Sequence, residues 1–518
     1  MYSKVLSGVA LGIDGMLISV ETDISAGLPG LSLVGYLASS VKEAGERVRA
    51  AMKNIGYFLP SMKITVNLSP ADVRKDGTNY DLAIAIGILL SMGIIPESDV
   101  LNKQISETVF LGELGLDGSI IRISGVLPIV DYAKKQGIKR VVLPKENASE
   151  AAYVKGIEII PIDHLKELLE SFLYGSWPDN YTRDLIEKVP ATNKDNYPDL
   201  ADVKGQEFMK RGLVIAVAGF HNMMMTGAAG SGKSMIAKCI PGIMPELSYA
   251  EQMELTKIYS VAKLLSSGDE LMKRRPFRNP GQSITEIALC GGGSDARPGE
   301  ISLANNGVLF LDEFPEFKRN VIESLRQPME DRQITVSRLK GSYTYPAKFM
   351  LVSARNNCPC GFYPDRKKCR CTSGEIYRYQ NRISHPIMDR IDIRIEVRPV
   401  EMDDLFSVGQ GMSSEQARSI ICRARKRQEK RYLNESFNYN AEIPQNKISD
   451  YIVIDSGMKE RIKEIFETSS MSARSYYKML RLMRTIADID DREEIIYSDI
   501  EEALFFRNET DLKGGVLC

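Results

Sequence analysis

Along the first third of the chain, apolar residues recur with two different periods. Alternating segments such as Met16–Val20 and Lys63–Leu68 predict half-buried strands, whereas Val41, Ala44, Val48, Ala51 and Ile55 fall on one face of a helix. These segments predict a compact α/β domain over residues 1–173. Residues 174–199 interrupt the pattern with Gly175, Pro178, Pro190 and Pro198 and little apolar periodicity, which predicts a linker. From residue 200 the apolar positions gather into short unbroken runs. One ends at Met225 just before Gly227, and others cover Gly307–Leu311 and Phe349–Ala354. Runs of this kind between polar segments predict parallel strands buried on both faces, so residues 200–399 read as a three-layer α/β domain. Beyond Pro399 helical patterns take over, around Ser414–Tyr432 and Ala473–Ile489, and residues 400–518 read as a helical lid. There is no internal repeat and no low-complexity tract.

Length agrees with several domains, because 518 residues with 43% apolar content exceed what one hydrophobic core usually organises. No signal-peptide pattern opens the chain, and the most apolar stretch, Leu82–Leu90, is too short to cross a bilayer. The expectation is a cytoplasmic protein with no membrane partner. Lys and Arg total 67 against 68 Asp and Glu, a net charge of −1, so contact with nucleic acid would depend on local basic patches. Eight cysteines in so long a chain do not suggest a secreted disulfide scaffold.

Gly227, Ala228, Ala229, Gly230, Ser231, Gly232, Lys233 and Ser234 fit the phosphate-binding loop, or Walker A, pattern between an apolar strand (Met223–Met225) and a helical run (Met235–Cys239). Backbone N–H groups in such a loop face the phosphates of ATP, Lys233 offsets their charge and the Ser234 hydroxyl ligates Mg²⁺. Further on, the run Val308–Leu311 ends in Asp312 and Glu313. An acidic pair there holds Mg²⁺ through Asp312 and polarises the attacking water through Glu313.

These motifs occur in order with Val203–Gln206, Arg275–Arg278, Arg297–Ala304, Gly307–Phe314 and Ser472–Ala487, and together they resemble the YifB/ComM family of magnesium-chelatase-like AAA+ proteins over nearly the whole chain. The resemblance implies a central AAA+ P-loop NTPase domain with magnesium-chelatase-type insertions and a C-terminal helical lid. It places Gly205 and Gln206 on the adenine side, Asn356 as sensor 1, Arg390 as arginine finger and Arg474 as sensor 2. The N-terminal domain is similar to the Lon-protease-like (S5-type) α/β fold, with Asn79 of Lys75–Asp81 in the place of the nucleophilic serine. An amide cannot be activated as a hydroxyl can, so peptide hydrolysis is not expected. One departure stands at Asn279–Ser283, where the family usually carries paired histidines.

A finger supplied by a neighbouring subunit implies a homo-oligomer, by resemblance a hexameric ring. The family further implies a helicase-like motor that couples ATP hydrolysis to DNA remodelling, acting on branched or single-stranded DNA and promoting branch migration during natural transformation. The alternative is a chelatase-type ATPase that remodels a partner protein. The insertions around Gly291–Ala304 and Asp331–Tyr345 resemble hairpins that related motors point into the ring pore, where Arg297, Arg338 and Lys340 would track phosphates. Two more basic stretches, Lys273–Arg278 and Arg418–Arg431, are either DNA contacts or solvated helix faces.

Cys358, Cys360, Cys369 and Cys371 crowd together after Asn356. Four thiolates suit a closed structural Zn²⁺ site, although both pairs are spaced more tightly than the usual C-x₂-C knuckle, and a redox pair or inert buried thiols are open as well. Arg366, Lys367, Lys368 and Arg370 would make a metal-pinned loop basic.

Overall fold

The computed structural model describes residues 1–96, 98–181, 197–265, 271–293, 296–338, 341–398, 411–468 and 471–507. At the N-terminus, strands Tyr2–Leu11 and Asp14–Ser25 form a hairpin inside a seven-stranded mixed sheet. Its order is Gly30–Val34, Lys63–Ser69, Asp14–Ser25, Tyr2–Leu11, Thr108–Phe110, Arg140–Pro144 and Glu158–Ile162. Pleating sends Val5 and Val9 into one core and Leu6 and Ala10 into the other. Helix Asp81–Ser91, which holds the apolar run Leu82–Leu90, covers the first face, and helix Val126–Lys135 covers the second. That second helix lies so close that a Cβ on Gly15 would meet the Pro128 carbonyl oxygen at 2.4 Å. Val41, Ala44, Val48 and Ala51 are buried on helices Ser39–Lys42 and Ala44–Asn54, and Ile55 follows the second helix half-buried.

Residues 174–181, which the composition assigns to a linker, stay on this domain. Trp177 packs edge-on against Phe172 at 5.0 Å and donates from Nε1 to Gln104 at 2.8 Å. The Tyr181 N–H bonds the Ile159 carbonyl oxygen at 2.7 Å, along the edge strand. Residues 182–196 lie outside the described residues. At the far end of the expected linker, Asp199 already caps the short turn Leu200–Asp202 and accepts from the Ser414 N–H at 3.0 Å.

The central domain carries five parallel strands in the order Phe277–Arg278, Val308–Leu311, Met350–Arg355, Met223–Gly227 and Ile393–Val397. Alternation within the apolar runs serves two cores. Met223, Met225, Val308, Phe310, Met350 and Val352 face one side, and Met224, Leu309, Leu311 and Leu351 face the other. This is the three-layer arrangement expected from runs without polar alternation. The C-terminal helices Ser414–Arg431, Ala473–Ile489 and Tyr497–Arg507 share the first of these cores, so they are welded to one face of the sheet. Their junction with the sheet, residues 399–410, lies outside the described residues.

Helix Tyr249–Val261 docks the N-terminal domain onto the central one. Lys257 meets Asp131 at 2.5 Å, Ser260 donates to the buried Glu150, and the Tyr249 hydroxyl donates to the Tyr153 carbonyl oxygen at 2.5 Å. Burial holds the Glu150 carboxyl above its usual pKa, with hydrogen bonds from Ser260, Leu127 and Asn147 opposing that shift.

Candidate active site

The P-loop joins strand Met223–Gly227 to helix Lys233–Ile243. Its glycines are structural requirements: Gly230 and Gly232 have φ of 78° and 88°, and a Cβ on Gly227 would meet the Val397 carbonyl oxygen at 2.3 Å. The loop therefore approaches its surroundings as bare backbone, leaving N–H groups and the helix N-terminus for an anion.

Lys233 is buried and folded back on the loop, donating to the carbonyl oxygens of Gly227 at 2.9 Å and Ala228 at 2.8 Å and to Asn356 Oδ1 at 3.2 Å. Burial draws its ammonium below the usual pKa, while Asp312 and Glu313 pull it up. A triphosphate would supply the missing counter-charge. Strand Met350–Arg355 lies between the P-loop strand and the strand ending at Leu311, so Asn356, just past its end, sits between the P-loop and the acidic pair. Ser234 donates to Asp312 Oδ2 at 2.6 Å. A hydroxyl and a carboxylate in contact can open slightly to share one Mg²⁺, whose adjacent octahedral ligands stand about 3 Å apart. Gln206, with φ of 63°, donates to the Arg398 carbonyl oxygen at 2.5 Å, beside the Gly227–Val397 pairing. That brings Gly205 and Gln206 to the start of the P-loop.

Glu313 is exposed in the left-handed region at φ 50°, and Gln282 Nε2 donates to its carboxylate. Gln282 belongs to the departure Asn279–Ser283, and only the tertiary structure pairs it with Glu313. It occupies one carboxylate oxygen and leaves the other for a water. If Glu313 is the base, as the motif implies, Gln282→Ala should lower kcat about tenfold and leave KM within about twofold, because it frees that carboxylate without touching the glycine-rich loop. Steady-state ATPase kinetics check this, and an unchanged kcat would remove Gln282 from the site.

Arg390 and Arg474 are not at this P-loop. Both pair with Glu330, at 2.7 and 2.8 Å, and Arg390 also donates to the Pro386 carbonyl oxygen at 2.6 Å. The Arg390 carbonyl oxygen accepts from Asn222, the residue before the P-loop strand, at 3.1 Å. The P-loop follows the other end of that strand, so the two arginines and the loop lie at opposite edges of the sheet. Five strand residues put about 16 Å between them. The arginines line a separate cleft of about 1030 Å³, together with Arg275, Arg332, Lys348 and Arg481. Glu330 had no local sequence signal, since nothing near it in the chain marks it off from the neighbouring acid Asp331 in its short helix.

The four cysteine sulfurs lie within 4.8 Å of one another, with Cys358 at 3.3 Å from Cys360 and 3.7 Å from Cys369. A tetrahedral zinc with 2.3 Å bonds needs edges of about 3.8 Å, so the set fits that ion with little movement. The Tyr363 N–H points at the Cys358 sulfur at 3.4 Å. The Phe362 N–H and the Cys358 thiol hold the Cys360 thiol well below its usual pKa, at about 6, whereas burial beside the other sulfurs holds Cys369 above its own.

The basic stretches are divided between side chains engaged within the fold and exposed ones. Arg275 is buried on Glu251 and on the Pro245 and Asn306 carbonyl oxygens, and Arg278 makes a two-pronged contact with Glu300 at 2.6 and 2.7 Å. In helix Ser414–Arg431, Arg418 binds the Gly242 carbonyl oxygen, Arg425 stacks on Tyr439 at 3.6 Å, and Arg427 and Arg431 pair with Asp491 and Asp488. Packing carboxylates and carbonyls engage these side chains, while Lys273, Arg274, Arg423, Lys426 and Lys430 are exposed.

The two insertions form antiparallel pairs, Gly291–Gly292 with Arg297–Pro298 and Gln333–Arg338 with Gly341–Pro346, and the Tyr345 hydroxyl joins them by donating to the Ala296 carbonyl oxygen at 2.9 Å. Arg297 is exposed and Arg338 ends its strand. Lys340 lies outside the described residues. In the N-terminal domain, Asn79 is nearly buried and holds its neighbours through its backbone oxygen, which accepts from the Gly112 N–H at 3.2 Å. Lys75 is fully buried and donates to the Pro70 carbonyl oxygen, and burial lowers its pKa. No helix of the described residues is long and apolar enough to cross a membrane.

Residues 199–405 match the family profile described as magnesium chelatase, subunit ChlI. Residues 20–147 match the one described as subunit ChlI of Mg-chelatase, and 411–507 the magnesium chelatase, subunit ChlI C-terminal. The chain is 38% identical to YifB of Escherichia coli over 98% of its own length and 97% of YifB. It is 36% identical to the competence protein ComM of Haemophilus influenzae, over 97% of both chains. Lon protease 2 of Bacillus subtilis is 31% identical over 31% of this chain and 30% of its own. With full-length similarity joined to an AAA+ sheet and a P-loop, the chain belongs to the YifB/ComM family of magnesium-chelatase-like AAA+ proteins.

Proposed function

We propose that the chain is an ATPase that works only as a ring, in which each subunit lends Arg390 and Arg474 to the nucleotide of its neighbour. The observation that carries this reading is the placement of both arginines at the sheet edge opposite their own P-loop. In this reading Gly205 and Gln206 flank the adenine, residues 227–234 cradle the phosphates, and Ser234 and Asp312 hold Mg²⁺. Glu313 then polarises water that Asn356 helps to orient. Docking of the next subunit brings its guanidinium groups to the γ-phosphoryl, where developing charge needs them. The ring is proposed to be a hexamer, working in the cytoplasm.

The proposed substrate is DNA, branched or single-stranded, with branch migration of recombination intermediates as the outcome. Similarity to a competence protein supports this, as do two joined hairpins that rise from the ATPase domain and carry Arg297 and Arg338. The second hairpin also meets the N-terminal domain, where Gly12, in the turn between that domain's first two strands, sits against Tyr343; this contact supports a platform role for the Lon-like domain, and Asn79 in the place of the nucleophilic serine argues against a protease. The cysteine set is proposed to hold one structural Zn²⁺.

The test measures ATPase rate and strand exchange on a four-way junction, a linear duplex and no DNA. A junction should stimulate turnover at least about threefold, and affinity should fall steeply with salt as phosphate contacts release counterions. Charge reversal at Arg297 or Arg338 should weaken binding to all sequences alike, since backbone contacts carry no base information. If junctions neither bind at low salt nor change turnover, the motor reading fails and remodelling of a partner protein replaces it.

A further inference from the structure

The cysteine knuckle and the P-loop are in contact. The Ala229 N–H, in the middle of the P-loop, donates to the carbonyl oxygen of Gly361 at 2.8 Å, and Gly361 directly follows Cys360. The approach is tight enough to demand glycine: φ is 80°, and a Cβ would lie 2.9 Å from the Ala229 Cβ and 3.8 Å from the Asn356 amide nitrogen. The same segment grips the loop a second time. Asn356, two positions before Cys358, accepts from Lys233 at 3.2 Å.

Besides these grips the segment is held by a few hydrogen bonds, among them Asn357 Nδ2 to the Tyr363 carbonyl oxygen at 3.3 Å and Gln380 Nε2 to that of Asn357 at 3.2 Å. Between strand Met350–Arg355 and helix Ser373–Gln380 no helix or strand forms, and its apolar core is a small cluster of Cys358, Cys369 and Ile376 with Tyr363 and Cys371 packed on it. Its turns close through the Gly361 N–H on the Cys358 carbonyl oxygen at 3.0 Å and the Cys369 N–H on Asp365 at 2.8 Å. So small a core adds little rigidity to the turns that carry the Gly361 carbonyl oxygen. Four ligands closing on one ion add it, because they pin the two ends of the segment together.

We propose that the four-cysteine knuckle is a metal-dependent brace for the P-loop: zinc on Cys358, Cys360, Cys369 and Cys371 holds Gly361 against Ala229 and Asn356 against Lys233, so metal occupancy sets nucleotide affinity. The proposal rests on the zinc reading above, and its test separates the two. The full chain is assayed as purified, after chelator treatment under reductant, and after zinc is added back, with zinc per chain measured by atomic absorption and affinity by a fluorescent ADP analogue with Mg²⁺ restored. Stripping should weaken nucleotide binding about tenfold, the scale of a lost hydrogen bond with a displaced loop, and zinc should restore it. Gly361→Ala should keep its zinc yet bind the analogue about tenfold more weakly, because its Cβ pushes Ala229. That variant tests the contact between knuckle and loop even if the stripped chain loses its fold, and Cys371→Ser, compared with it, tests the metal. Zinc present with affinity unchanged in both comparisons overturns the brace and leaves the zinc site standing. A reduced chain that takes up no zinc overturns both.

Discussion

Glu313→Gln should hold ATP as tightly as the natural chain and hydrolyse it at least about 10²-fold more slowly, the usual loss when a general base is removed. The reason is geometric. In the proposed site Lys233, Ser234 and the glycines of the loop would contact the phosphates from one side, while Glu313 hydrogen-bonds Gln282 rather than the loop. Amide for carboxylate preserves shape and the capacity to hydrogen-bond, so binding survives. Water, however, loses the only negative charge placed to take its proton in this reading. A filter-binding Kd within about threefold of the natural value, with turnover gone, is the expected pair of results. Near-normal turnover would move the catalytic base elsewhere, and loss of binding would make Glu313 part of the cradle.

The second large effect should come from mixing two inactive chains. Lys233→Ala removes the ammonium that the phosphates need, and Arg390→Ala removes a guanidinium that this structure keeps at the opposite edge of the sheet. Each alone should fall by about 10³-fold or more, the scale of a finger supplied between chains. Mixed in equal amounts before assembly, they should regain about a quarter of natural activity, since random neighbours create an intact junction at one position in four. Arg474→Ala should behave as Arg390→Ala does, because Glu330 holds both side chains in one cleft. Recovery near zero, with assembly of the mixture confirmed by light scattering, would place the arginines in a role within their own chain.

The legible parts of the site were those that one stretch of chain builds by itself. A glycine-rich loop between an apolar strand and a helix needs no distant partner to take its shape, and Asp312 and Glu313 follow directly from the end of a buried strand. The four cysteines were legible for the same reason. By contrast, the basic stretch Arg418–Arg431 looked like a charged surface because periodicity does not reveal which carboxylate from another element will meet each arginine. Asp488 and Asp491 lie far along the chain, and they consume Arg431 and Arg427. Residues 174–181 looked like a linker because Pro178 and Gly175 suit one, yet Trp177 finds a groove beside Phe172.

By itself, then, the sequence determined the three-part order of the chain, the buried parallel strands, the glycine-rich loop, the acidic pair that ends the neighbouring strand and the clustering of four thiols. Each depends on local spacing, because backbone conformation and strand burial follow from neighbours a few residues apart. Tertiary structure decided which residues face one another across the sheet. It set Gln282 on Glu313, drew Arg390 and Arg474 to Glu330 at the edge away from their own P-loop, and brought Gly361 onto Ala229. Those pairings depend on strand order, and the order of five parallel strands is a property of packing the whole chain that no short window of sequence contains.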